Sequence, residues 1–91
     1  MAKNVDVILA FTKWGGTLKR TTNLRIEGDK LFNYNTCLAE KIRHSNGLVS
    51  FKINVTSYSK STTAIQNMLL RAVEFERFEC FAEVPQGAQS L

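Results

Sequence analysis

The chain has 91 residues, a net charge of +4, 44% hydrophobic and 22% charged side chains; this is enough for one folded domain and too little for a second core. That balance excludes wholesale disorder, and no apolar run nears the roughly 20 residues that cross a bilayer. Asp6 ahead of the short run Val7–Phe11 makes a poor secretory leader, so a cytoplasmic protein with no membrane partner is expected.

Residues 1–91 read as a single domain with its core in 4–84 and a frayed tail at 85–91. A domain of this size buries only roughly 60–65% of its unfolded surface, so a homodimer is among the expected assemblies. In chain order, Asn4 to Trp14 fits either period: Val5, Val7, Leu9 and Phe11 alternate as in a strand, while Val5, Ile8, Leu9 and Thr12 mark one helix face. A short N-terminal helix is the reading adopted, capped by Asn4 and stopped by Gly15-Gly16. Trp14 reads as a lid on the core or an exposed contact, and Thr17–Thr22 as a basic loop.

Gly28-Asp29 lies between two extended segments and predicts a tight hairpin, with Glu27 opposite Lys30, Ile26 opposite Leu31 and Arg25 opposite Phe32. A third strand is predicted over Thr36–Ile42, a turn at Asn46-Gly47, and a fourth strand over Leu48–Thr56. In that strand Val49, Phe51, Ile53 and Val55 alternate with Ser50, Lys52, Asn54 and Thr56, giving one buried face, which Leu38 and Ile42 are expected to share. The pattern Thr63-Ala64-Ile65-Gln66 suggests a capping box for a helix opening at Ser61-Thr62-Thr63. Its apolar stripe is Ile65, Met68, Leu69, Ala72, Val73 and Phe75, with Gln66 on the wet side. Phe78–Val84 reads as a last edge strand. The predicted fold is thus α+β: an antiparallel meander of about four strands with a C-terminal amphipathic helix packed on one face.

Catalytic chemistry finds little support. His44 stands alone beside a turn, and Cys37, His44 and Cys80 lack metal-ligand spacing. No nucleophile elbow or phosphate-binding glycine loop is present, so no enzyme activity, metal or cofactor is expected. Cys37 and Cys80 read as free core thiols.

Charge is unevenly spread. Residues 1–46 hold eight basic and four acidic side chains, and no acid occurs from Lys41 to Val73. The groups Lys19, Arg20, Arg25, Lys41, Arg43, Lys52 and Lys60, with Trp14, Phe32, Tyr34 and Tyr58, are the residue types with which sheet proteins track phosphates and stack bases. DNA or RNA is therefore a candidate partner, with Phe32 and Tyr34 as a stacking platform on one strand. A further candidate is a phosphorylated ligand at Ser59, Ser61 and Thr62, where a helix N-terminus offers free N–H groups; the same residues suit plain capping.

The run Asn23-Leu24-Arg25-Ile26-Glu27-Gly28-Asp29-Lys30-Leu31-Phe32-Asn33-Tyr34-Asn35-Thr36, then Leu38-Ala39-Glu40, then Ile53 through Thr63, resembles small uncharacterised proteins of bacteriophages and mobile elements. In these an NL–DG–L–Y–T–IA segment precedes an N–KYS–TT segment. The resemblance covers about half of the chain, and the chain departs from the pattern at Ser57, the position before Tyr58 where the pattern has a lysine. It implies a phage-encoded protein that binds, and by binding inhibits, a host macromolecule such as a host protein. It implies no catalytic residues.

Overall fold

A computed structural model describes residues 3–14 and 20–91, with Trp14 described in its backbone alone. The expected stop at Gly15-Gly16, the role of the Trp14 side chain and the placement of Lys19 lie outside the described residues. The elements are α1 (Asn4–Leu9), continuing as a π-helical segment (Ala10–Trp14), β1 (Leu24–Glu27), β2 (Lys30–Asn33), β3 (Thr36–Arg43), β4 (Val49–Asn54), α2 (Lys60–Ala72) and β5 (Arg77–Phe81). The fold is α+β, with the five strands in sequence order across one sheet. β1 to β4 form the antiparallel meander. β5 adds beside β4 in parallel, so the sheet is mixed and one strand larger than the meander. Parallel neighbours need a crossover, and α2 is that crossover.

The β1–β2 hairpin has the register that Gly28-Asp29 predicts: Glu27 opposite Lys30, Ile26 opposite Leu31 and Arg25 opposite Phe32. Gly28 takes φ +61°, a conformation favouring glycine. The expected charge pair regroups, since Glu27 meets Arg25 along its own strand at 3.4 Å while Lys30 turns to Glu40 at 3.9 Å. Between β2 and β3 the turn is only Tyr34-Asn35, and a bulge displaces Leu38, so that Leu31 faces Ala39 but Phe32 faces Cys37.

The turn at Asn46-Gly47 corrects one expectation. Arg43 pairs with Val49, and the connection therefore holds five residues. A one-residue change of register moves every side chain to the other face. Ala39, Lys41 and Arg43 accordingly share the face of Ile53, Phe51 and Val49, while Ile42 sits opposite Ser50 on the other face. Leu38 still reaches the core, because the bulge turns it there.

Both helices cover one face. Val7, Ile8 and Phe11 meet Ile65, Leu69 and Val73 over Leu24, Leu31, Ala39, Phe51 and Ile53, each large side chain contributing on the order of 1.5–3 kcal/mol before entropy is subtracted. In α1 the buried row is Val7, Ile8 and Phe11, while Val5 is exposed. Lys3 occupies the cap position, and its N–H donates to the Asp6 carboxylate at 3.0 Å. Asn4, expected as that cap, instead accepts from the Thr21 hydroxyl at 2.7 Å. α2 begins a turn earlier than the Thr63–Gln66 pattern predicts: Ser59 caps it, accepting from the Thr62 N–H at 3.2 Å. Gln66 is buried and donates to the carbonyls of Asn54 and Thr56 at 2.9 and 2.8 Å. α2 ends at Ala72, so Phe75 leaves the expected stripe and stands 91% exposed in the turn before β5.

Residues 85–91, expected to fray, lie instead along the other face and end of the sheet. The ladder from β3 to β4 starts only at Ala39, and beyond it Ala88 offers its carbonyl to the Cys37 N–H at 2.8 Å. The Gly87 N–H donates to Thr36 Oγ1 at 2.8 Å, and the Leu91 N–H to Glu40 Oε1 at 2.8 Å. The segment holds through its own backbone groups, one paired with a strand-end N–H and two with side-chain oxygens. Both cysteines are free; Cys37 is buried as expected, but Cys80 is exposed because β5 lies at the sheet edge.

Candidate functional site

Three separate segments meet at the end of the sheet where β2 turns into β3. The first is the turn Tyr34-Asn35, the second is the entry to α2 at Tyr58 and Ser59, and the third is the final segment at Gln86-Gly87; together they line an open cleft of about 580 Å³. Its floor is a hydrogen-bonded chain. Ser59 Oγ donates to Thr62 Oγ1 (3.0 Å), which donates to Asn33 Oδ1 (2.9 Å), and Asn33 Nδ2 donates to the Asn23 carbonyl (3.1 Å). Behind it, fully buried Asn54 donates to the Cys37 carbonyl and the Tyr58 hydroxyl, both at 3.0 Å, and accepts from the Thr56 N–H at 2.9 Å. The Tyr58 hydroxyl in turn donates to the Val84 carbonyl. Among the described residues no buried side-chain polar atom lacks a partner. Such a satisfied network is rigid, because each member fixes the orientation of the next.

Tyr34 stands at the lip of this cleft and also borders a smaller one of about 240 Å³ beside Arg20 and Asn23. It is 62% exposed, yet its backbone has φ +55°. For a residue with a Cβ that conformation costs on the order of 1 kcal/mol, and local bonds hold it. Its N–H donates to the Asn23 carbonyl (3.2 Å), its hydroxyl to Asn23 Oδ1 (3.2 Å), and the Arg25 guanidinium donates to its carbonyl. The ring is therefore presented to solvent in a fixed position.

Of the remaining sequence-predicted site residues, Arg20 and Arg25 border the smaller cleft with Tyr34, and the others do not converge here. Phe32 is 3% exposed and lies under the Arg25 guanidinium at 4.6 Å, so the Phe32/Tyr34 platform does not exist: one ring is interior, and the other leaves the strand at the turn. Arg20 is exposed and bridges to Arg25. Lys41 lies on the helix-covered face, 5.3 Å from the Phe11 ring; burial, then Arg43, pushes its pKa down, with Asp29 opposing. Arg43 pairs with Asp29 at 3.2 Å. Lys52 projects from the opposite face, 5.8 Å from the Phe81 ring. Lys60 is exposed at the first position of α2. The basic groups are thus divided between two faces and partly neutralised. Of the proposed anion site, Ser59 and Thr62 are engaged with each other and with Asn33, and Ser61 Oγ lies 3.2 Å from Ser59 Oγ. These are bonds of capping.

Among the described residues no group of three His, Cys, Asp or Glu side chains could hold a metal ion, and no helix is long and apolar enough to cross a membrane. His44 Nε2 lies 2.9 Å from Ser50 Oγ on the open face, with no carboxylate bonded to the ring among those residues. Residues missed in the sequence are Asn23, Asn33, Asn54, Gln66 and the Gln86-Gly87 segment. The available signal was the recurrence of asparagine at strand ends, where amides satisfy backbone groups that a ladder leaves open. No family model matches the chain, and neither curated proteins nor solved structures yield a match.

Proposed function

We propose that the protein is a non-enzymatic binding module that engages another protein through the exposed ridge at Tyr34 and the polar cleft behind it. The observation that carries this reading is Tyr34 itself: an aromatic side chain held in solvent on a backbone whose conformation disfavours it. Strain of this kind persists where neighbouring bonds enforce it, and it concentrates at contact sites. A fixed tyrosine supplies contact area at small entropic cost, which is why tyrosine is enriched in recognition surfaces. Asn23, Tyr34, Asn54, Tyr58, Ser59 and Thr62 all belong to the segments that resemble phage proteins, and all of them build or border this end of the fold. That resemblance supplies the biological setting of the proposal: a phage-encoded chain that binds, and by occupying it inhibits, a host protein inside the host cell.

The division of basic groups between two faces weighs against the nucleic-acid alternative, which wants one continuous positive surface. The test is affinity capture from nuclease-treated bacterial host lysate with the wild-type chain, Tyr34→Ala and Lys52→Ala. A partner retained by wild type and Lys52→Ala, and weakened at least about ten-fold by Tyr34→Ala, supports the reading; loss of one central aromatic anchor typically has that size or more. Capture that needs intact nucleic acid and collapses steeply with added salt, or is indifferent to Tyr34, overturns it.

A further inference from the structure

We propose that β5 is a dimerisation edge, along which a second copy of this chain pairs antiparallel, with Phe78 opposite Phe78 of the second copy and Arg77 opposite its Glu79. β5 is the outer strand of the sheet, and Arg77, Phe78, Glu79 and Cys80 are all exposed. The Phe81 carbonyl accepts from the Val55 N–H at 2.8 Å, so Arg77, Glu79 and Phe81 aim their backbone groups at β4. The intervening Phe78 and Cys80 aim their N–H and C=O groups outward, because these groups alternate along a strand. A two-fold axis at Phe78 then joins the two Phe78 residues by a reciprocal pair of backbone hydrogen bonds. It also sets Arg77 and Glu79 at the flanking position, where antiparallel side chains approach most closely.

The register is chosen by charge. Moving the axis by one residue in either direction sets Arg77 against Arg77 of the second copy, or Glu79 against its Glu79, and like charges directly opposite are destabilising. With the axis at Phe78 both cross-strand pairs are Arg–Glu, both on the face opposite the helices, and the two Phe78 rings meet on the helix side. The charges are available for this: among the described residues neither Arg77 nor Glu79 takes part in an ion pair within 4.0 Å, although Glu79 is in register with Lys52. The edge also carries apolar surface, with Phe78 37% exposed. The isologous contact closes on itself and removes an edge that otherwise invites open-ended pairing. A second copy is favoured over an unrelated strand because the Arg77-Phe78-Glu79 triplet is its own antiparallel complement.

Sedimentation equilibrium over roughly micromolar to millimolar protein tests this, with circular dichroism confirming the fold of each variant. A monomer–dimer equilibrium is expected for the wild type. Arg77→Glu alone and Glu79→Arg alone each create two like-charge contacts and should weaken dimerisation at least about ten-fold. The double variant Arg77→Glu/Glu79→Arg restores opposite charges and should return affinity to within about three-fold of wild type. A wild type monomeric throughout, a dimer insensitive to either single reversal, or a double variant that stays as weak as the singles would overturn the proposal.

Discussion

On one side of the sheet Ile8, Phe11, Ile65 and Leu69 exclude water through side chains with no hydrogen-bonding groups. At the other side and its adjoining end, residues 84–91 and the entry to α2 are fixed by hydrogen bonds to Thr36, Cys37, Glu40, Asn54 and Thr56. The first arrangement needs volume and apolarity, and the attraction in it is non-directional. The second needs particular atoms at particular places, and each is costly to leave unmatched. The difference teaches where the chain tolerates change: hydrophobic exchange under the helices, and almost none among the amides at the end.

The largest expected effect tests the dry side. Leu69→Ala empties space at a fully buried position and should cost about 2–5 kcal/mol by denaturant unfolding, whereas Leu69→Met should cost less than about 1.5 kcal/mol. Next comes Asn54→Ala, which strands the Thr56 N–H and removes a donor from the Cys37 carbonyl and the Tyr58 hydroxyl; about 2–4 kcal/mol is expected in the same assay. Here Asn54→Leu should rescue nothing, although the same residue type suits the other side. If Asn54→Leu proves as stable as wild type, the contrast between the two regions is broken.

The smallest effect sharpens it. Deleting residues 85–91 removes the bonds to Thr36, Cys37 and Glu40 and should cost about 1–3 kcal/mol, since each net bond contributes modestly and the released segment regains entropy. Cys37 reports the change. Burial first, then Glu40, pushes its thiol from the ordinary value near 9 up to about 11. The folded state therefore keeps a proton that the unfolded chain releases. This contribution to stability is fully present below pH 9 and is lost as pH rises through about 11. In the intact chain one thiol, Cys80, should label quickly at pH 8 while Cys37 waits for unfolding. In the truncated chain Cys37 should label faster, and the alkaline loss of stability should shrink.

The β1–β2 hairpin was legible because its information is local: Gly28 permits the turn, and two cross-strand pairs agree on the register. The Asn46-Gly47 turn was legible in position but not in length, and the five-residue connection reversed the faces assigned to Ile42 and Lys41. The start of α2 reads a turn late in the sequence because Thr63-x-x-Gln66 has the residue types of a capping box. Gln66 instead satisfies carbonyls at the end of β4, a requirement visible only once the sheet exists. The parallel placement of β5 and the anchoring of 84–91 join segments distant in sequence, and neither leaves a periodic trace. The same holds for the candidate site, which is assembled from a turn, a cap and a terminal segment. Tyr34 and Tyr58 were singled out for base stacking, but what they share is an end of the molecule, not a strand.

The parallel seam between β4 and β5 has a kinetic consequence. The hairpins of β1 to β4 close short loops, but β5 reaches its neighbour only after the whole of α2 has formed between them, and closing that longer loop is entropically slower. The outermost strand should therefore join last during folding and detach first under native conditions. Deuterium uptake at Glu79 and Phe81 should outrun that at Ala39 and Lys52, whose amides face β2 and β3, and equal protection at the two places would show that the sheet opens only as a whole.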